Sequence, residues 1–435
     1  MRHDPSRPRI TVYDAQRRRR RRWPVPAVVM VALLLTGIAI AYPQLGARAA
    51  TAAQTLSTTV AAATADTTAP PATATASDRS DSMAAGEATT AAADVTPPPA
   101  GPPSAKTRLR LVKSIGGDIS PKSVVSSGSG FITAQNMMYR HSVTVYDART
   151  MRLITTIDDR VDLSKLGYPK LHGMVRGAPV EGAFSPDAAY EYVTNYSMYG
   201  AGFGPEGTDT CTPASGYDRS FTYRINTATW KIDRAYQVGV VPKVVKTTAD
   251  GKYVLVSNWC SWDLSVISTA KGRVVRSIPI GAYPRGIALS PKGNAAYVAV
   301  MGGTNLVRVD LKTWKTRSVE IGSGPRAIEF SPDDRYIYAT LNAEGNVARL
   351  DLRTRKVVKV ATGQAPRSLT ISTDGTAIYV VNYDSASIAK IRTRDMRVLQ
   401  TIDACVHPIG ITYDAPTRRV WVACYGGALL VYRDH

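Results

Sequence analysis

The chain reads as an all-β protein: a seven-bladed β-propeller closed by the N-terminal strand of the domain, preceded by one transmembrane helix and a disordered linker. Three observations predict the propeller. The segment beginning at Ile280, Ile-Gly-Ala-Tyr-Pro-Arg-Gly-Ile-Ala-Leu-Ser-Pro, returns at Ile321 as Ile-Gly-Ser-Gly-Pro-Arg-Ala-Ile-Glu-Phe-Ser-Pro, and each copy holds four short β-rich runs. A period of about 40 residues with four strands marks a propeller blade, whose sheet buries both faces only against a blade on each side. A proline leads the first strand of every repeat, at Pro121, Pro179, Pro242, Pro284, Pro325, Pro366 and Pro408, which predicts seven blades. The last four intervals are 42, 41, 41 and 42 residues, whereas the first three repeats are less regular because they carry insertions. The final repeat ends at Val431-Tyr432-Arg433 with no outer strand to follow. At the other end, Leu109-Arg110-Leu111-Val112-Lys113-Ser114-Ile115 matches the outer strand Arg273-Val274-Val275-Arg276-Ser277-Ile278 of a middle repeat. The N-terminal strand is therefore expected to complete the seventh blade, which removes open sheet edges.

Ahead of the propeller, assigned to residues 107–435, the chain divides into three. Residues 1–22 form a cytoplasmic basic tail ending in six consecutive arginines from Arg17 to Arg22. Residues 23–43 read as a signal-anchor helix, with an uncharged apolar run over 25–42. Eighteen residues rising 1.5 Å each cover about 27 Å, enough for a bilayer's hydrocarbon core. Trp23 and Tyr42 stand at its two ends, where amphipathic rings favour the interface. Arginine on the N-terminal side keeps that end cytoplasmic and places the propeller at the cell membrane's extracytoplasmic side. A cleavable signal peptide is the alternative, with Ala47-Arg48-Ala49 as its cleavage site, although the apolar run is longer than a usual signal core. Residues 44–106 are dominated by Ala, Thr, Pro and Ser, a composition that buries too little apolar surface to offset the entropy of ordering. They read as a disordered tether spanning about 40 to 45 Å, and their Thr and Ser content permits O-glycosylation.

The formal net charge is +20 at pH 7, of which roughly +7 lies in the tail, −3 in the linker and +16 in the propeller. That balance favours anionic partners such as acidic lipid or a cell-wall polymer. Nucleic acid is not favoured, because a block of arginines beside an apolar span is a topology signal.

Tyr192-Val193-Thr194-Asn195 spells the motif of the YVTN-repeat β-propeller family, and Tyr379-Val380-Val381-Asn382 and Leu255-Val256-Ser257-Asn258 are variants at the same repeat position. The chain resembles that family over all seven repeats. The resemblance implies the fold, and for function it points to several kinds of protein: surface-layer proteins, periplasmic binding propellers and propeller subunits of redox enzymes.

In a four-stranded blade, the connection into the first strand and the loop between second and third strands share a face. The residues after the leading prolines therefore ring the mouth of the central funnel: Lys122, Val180, Lys243, Arg285, Arg326, Arg367 and Ile409. Five are cationic, and cations converging on one axis favour a bound anion. The competing reading pairs each head with a carboxylate or carbonyl between blades. Loops on this face carry Tyr196, Trp259, Trp262, Tyr383 and Tyr425, rings suited to stacking on sugars or merely to capping the funnel. The blade-two loop, 196–219, is long enough to imply a function.

Four cysteines in an exported domain imply disulfides. The loops place Cys211 beside Cys260 and Cys405 beside Cys424, and those two pairs are expected. No metal or cofactor is expected, since there is no Cys-x-x-Cys and the histidines are scattered. Weak catalytic candidates are Glu181, two residues after Pro179, and His172 in the preceding connection. The sequence thus favours a non-catalytic, membrane-anchored binding or scaffold module for an anionic or glycan envelope ligand. A lactonase-like hydrolase and a platform for a protein partner in an envelope or redox complex are the alternatives.

Overall fold

The computed structural model describes residues 101–435, so the basic tail, the apolar run and the linker up to residue 100 lie outside the described residues. Among the described residues no helix is long and apolar enough to cross a membrane. The alternating runs of each repeat pair antiparallel into a four-stranded sheet, and there are seven such sheets. Their first strands are Pro121–Ser126, Pro179–Phe184, Pro242–Thr247, Pro284–Leu289, Pro325–Phe330, Pro366–Ile371 and Pro408–Asp414. Each touches the next in cyclic order, and the seventh touches the first. These are blades 1 to 7 of a closed ring around a central funnel.

Burial follows from that ring. Second strands such as Ala295–Val300 and Ala377–Asn382 are buried along their whole length. Leu255, Leu264, Ile287 and Val298 fill the space between blades 3 and 4. The asparagine that ends the motif strands has a local reason to be there: its amide ties the strand end to a neighbouring segment, the third strand of blade 2 for Asn195 and the connection before blade 6 for Asn382. Asn195 Nδ2 donates to Phe221 O (3.1 Å), and Asn382 Nδ2 to Thr362 O (3.0 Å). Asp147, Asp310 and Asp351 sit at the turns into the outer strands, where each accepts the N–H of a threonine three residues on.

Blade 7 closes the ring as the sequence predicts. Leu109–Ile115 pairs antiparallel with Ala428–Asp434, outside Arg419–Cys424 and Pro408–Asp414. A buried network locks the closure. Lys390 of blade 6 meets the Asp434 carboxylate with both side chains 0% exposed, and its ammonium also donates to Thr107 O (2.9 Å) and Thr107 Oγ1 (2.8 Å). Tyr379 donates to the second oxygen of Asp434. Gln400 of blade 6 accepts from the Leu109 N–H (2.9 Å) and donates to Leu109 O (3.1 Å). Just upstream, the short 3-10 turn Ser104–Lys106 docks under blade 6, where Ser104 N donates to Asp374 Oδ2 (2.7 Å).

Two disulfides form, Cys211–Cys260 and Cys405–Cys424, the pairs that loop placement favours. The first staples the long blade-2 loop to blade 3. The second closes a short loop within blade 7.

Candidate functional site

The chain enters five of the blades through strained backbone. Val241, Tyr283, Ala365 and His407, each just before a leading proline, have φ of 53°, 58°, 50° and 55°, and Gly324 has 63°. Left-handed backbone is unfavourable for a side chain with a Cβ, above all a β-branched one such as Val241. This turn is followed by a register shift after the proline. Small residues come second, Gly286, Ala327, Ser368 and Gly410, and the strands crowd at the axis there. A Cβ on Gly286 would lie 2.5 Å from Arg326 O, and one on Gly410 would lie 2.9 Å from Ser123 Cα.

The axial cavity has a volume of about 120 Å³, room for several waters or one small oxyanion. Lys122, Arg285, Arg326 and Arg367 line its wall, and so does Glu181. Arg326 is 3% exposed and Arg285 9%. Among the described residues, none of these four cations has a carboxylate within ion-pair distance. Burial, and then repulsion from Arg285 and Lys243, drives Lys122 well below the ordinary lysine range. Burial lowers Arg285 to about 10 although Glu181 pulls the other way, and Arg326 falls for the same first reason with Arg285 and Arg367 adding repulsion. Burial raises Glu181 to about 6 against the pull of Arg285, Lys246, Arg326 and Lys122. On the same cavity wall, Lys246 of blade 3 reaches Glu329 of blade 5 (3.1 Å), which raises the lysine.

Lys243 does not share the cavity wall. The residue is 4% exposed, and its ammonium turns to Asp209 Oδ1 (3.1 Å) and lies over the rings of Tyr196 (4.2 Å) and Trp259 (5.2 Å). Burial and Arg285 still lower it to about 7. Asp209 comes from the blade-2 loop, held there by Cys211–Cys260, by Trp259 Nε1 donating to its carbonyl (3.0 Å) and by Tyr196 OH donating to its carboxylate (3.3 Å).

The other rings are likewise engaged. Arg367 stacks over Tyr383 (3.9 Å), whose other neighbour is His407 with ring planes 11° apart. Lys122 lies over Tyr425 (5.0 Å), and Trp262 packs edge-on to Tyr283. Tyr196 and Trp259 are buried, so sequence reasoning that offers them to a sugar meets rings already occupied by protein. His172 is exposed on the connection between blades 1 and 2 and does not line the cavity that holds Glu181. Sequence reasoning also missed Asp209, Lys246 and Glu329. The last two were within reach, both four residues after a leading proline; Asp209 sits in a loop with no repeat to index it.

No family model matches the chain, and no curated protein sequence matches it. The Tyr-Val-Thr-Asn likeness therefore speaks for the repeat and not for membership of a family. Among solved structures the chain is similar to a chain of Kuenenia stuttgartiensis hydrazine synthase, with 17% identity and a TM-score of 0.57. That match covers 73% of this chain and 97% of the other. At such identity the likeness concerns the fold alone.

Proposed function

We propose that the protein is a membrane-tethered, non-catalytic β-propeller that holds a small anionic group, the phosphate or carboxylate of an envelope ligand, in its central funnel. The observation that carries this reading is the set of four cations around a cavity of about 120 Å³ without a carboxylate at ion-pair distance. Glu181 and the Lys246–Glu329 pair line the same cavity, so cations outnumber carboxylates there, and buried like charges compensated only in part are costly; a bound oxyanion offsets that cost through charge-assisted hydrogen bonds. The occupied aromatic faces favour an anion over a stacked glycan. An extracytoplasmic location is supported by the apolar run over 25–42 with arginines before it, and two disulfides fit an oxidising compartment. A hydrolase has less support, because His172 and Glu181 are not brought together at the cavity.

The test is calorimetric titration with inorganic phosphate, pyrophosphate and citrate at two ionic strengths. At least one should bind, more weakly as salt rises. Arg285→Gln with Arg326→Gln should weaken it by about tenfold to a hundredfold, as expected for charge-assisted hydrogen bonds, with an unchanged or higher melting temperature because buried repulsion is removed. Equal binding by the variant, or none by the native protein, would refute the reading.

A further inference from the structure

The exposed apolar side chains of the propeller's outer strands are not spread evenly round the ring. The outer strands of blades 7 and 1 each bulge, at Val112 and at Ile154, and carry two apolar residues there, Leu111 and Val112 in blade 7 and Leu153 and Ile154 in blade 1. These four are 55%, 44%, 55% and 45% exposed. In the other outer strands that bulge, the matching residues are half-buried, as Val274 and Val275 are, or polar, as Asp233 is, and the outer strands of blades 4 and 5 do not bulge.

The two pairs border one seam. Lys113 Nζ of blade 7 donates to Met151 O of blade 1 (2.9 Å), two residues before Leu153. Arg419 Nη1 donates to Ala148 O and Arg149 O in the same turn (2.6 Å each). Around the seam stand exposed cations: Arg108, Arg110, Arg149, Arg152 and Arg433. None forms an ion pair among the described residues, and Asp147, the neighbouring carboxylate, is held in its turn by Thr150. Outer strands begin on the face opposite the funnel mouth, and the chain arrives on that face too, at Ser104–Lys106 beneath blade 6.

We propose that this seam is a docking surface for an anionic lipid bilayer. Four apolar side chains ringed by unpaired cations match a membrane interface on both counts: the hydrocarbon boundary takes the Leu, Val and Ile, and acidic headgroups take the arginines. Docking there adds a second contact to the proposed anchoring and leaves the funnel mouth facing away from the lipid.

The experiment omits residues 1–100, so that docking and anchoring fail separately. This is warranted because the ring closes with its own strand and all seven sheets lie within residues 104–435. Residues 101–435 are sedimented with vesicles of phosphatidylcholine alone, or mixed with an equal part of phosphatidylglycerol. Binding is expected with the anionic vesicles only, weaker in high salt, and lowered more than about tenfold by replacing Leu111, Val112, Leu153 and Ile154 with serine. Arg285→Gln with Arg326→Gln should sediment like the native protein. The proposal is overturned by absence of vesicle binding, by undiminished binding of the serine variant, or by loss in the funnel variant, which would put the headgroup in the funnel. A concentration-dependent dimer abolished by the serine substitutions, without vesicle binding, would assign the seam to a second copy of the chain and equally overturn it.

Discussion

Lys243 and Arg285 hold the same place in their repeats, one residue after the leading proline, and meet different fates. The arginine faces the cavity without an ion-pair partner among the described residues; the lysine is claimed by Asp209 and two rings. Both remain in a field of cations, and that makes the funnel sensitive to pH. Lys243, lowered to about 7 by burial and Arg285, loses its charge as pH rises through that value. Glu181, raised to about 6 by burial, gains a negative charge as pH rises through that one. Both changes remove positive charge in the same direction. Anion affinity should therefore fall between pH 5.5 and 7.5, with proton uptake on binding across that interval. Titrations with sulfate, whose charge is constant over this interval, in two buffers of different ionisation enthalpy measure this; Glu181→Gln should remove the lower step and leave the one near pH 7. An affinity that is flat or climbs over the interval would refute the assignment. The position of these residues after each proline was legible in the sequence. Which of them face the cavity was not, because capture of Lys243 depends on Asp209, 34 residues away in a loop outside the repeat.

The leading strand and the loop that faces it are the elements that build the site. In blades 4 to 7, turns with φ near 50° to 60°, a register shift and a small second residue aim Arg285, Arg326, Arg367 and Ile409 at the axis. Proline and spacing announced those strands; the blade-2 loop was visible only as an interruption. Its fixed shape comes from the Cys211–Cys260 staple and from Trp259 holding the Asp209 carbonyl. Replacing both cysteines by serine frees a loop of about 50 residues in the unfolded chain. The unfolding free energy should drop by about 4 kcal/mol, and by about 3 kcal/mol for the Cys405–Cys424 pair, on the chain-entropy account. Urea unfolding of each double variant checks this, and limited proteolysis between residues 196 and 219 should quicken only in the first. Unchanged urea midpoints would show that neither staple bears on stability.

At the scale of the whole ring, stability rests on joining the two ends of the domain. Leu109–Ile115 covers the last strand, and the Lys390–Asp434 pair ties blade 6, the start of the propeller and its final strand at one buried point. Removing one partner leaves a buried charge alone. Lys390→Met should therefore destabilise by about 3 to 5 kcal/mol, while adding Asp434→Leu should recover most of the loss. Urea midpoints of the single and double variants decide it; a double variant no better than the single would show that the pair does more than neutralise itself.

Blade number, strand period, closure by the N-terminal strand and the two cysteine pairs were all readable from the chain because they rest on local pattern. Alternation, turn residues and a spacing of about 40 residues recur within each blade, and a missing outer strand at one end matches a spare one at the other. The pairing of charges and the exposure of apolar side chains are of another kind. Asp209 over Lys243, Lys246 across to Glu329, and Leu111 beside the seam with Leu153 join residues that no repeat places together. They exist only once the ring has closed, since closure is what brings separate blades to one axis and the first and last strands to one edge.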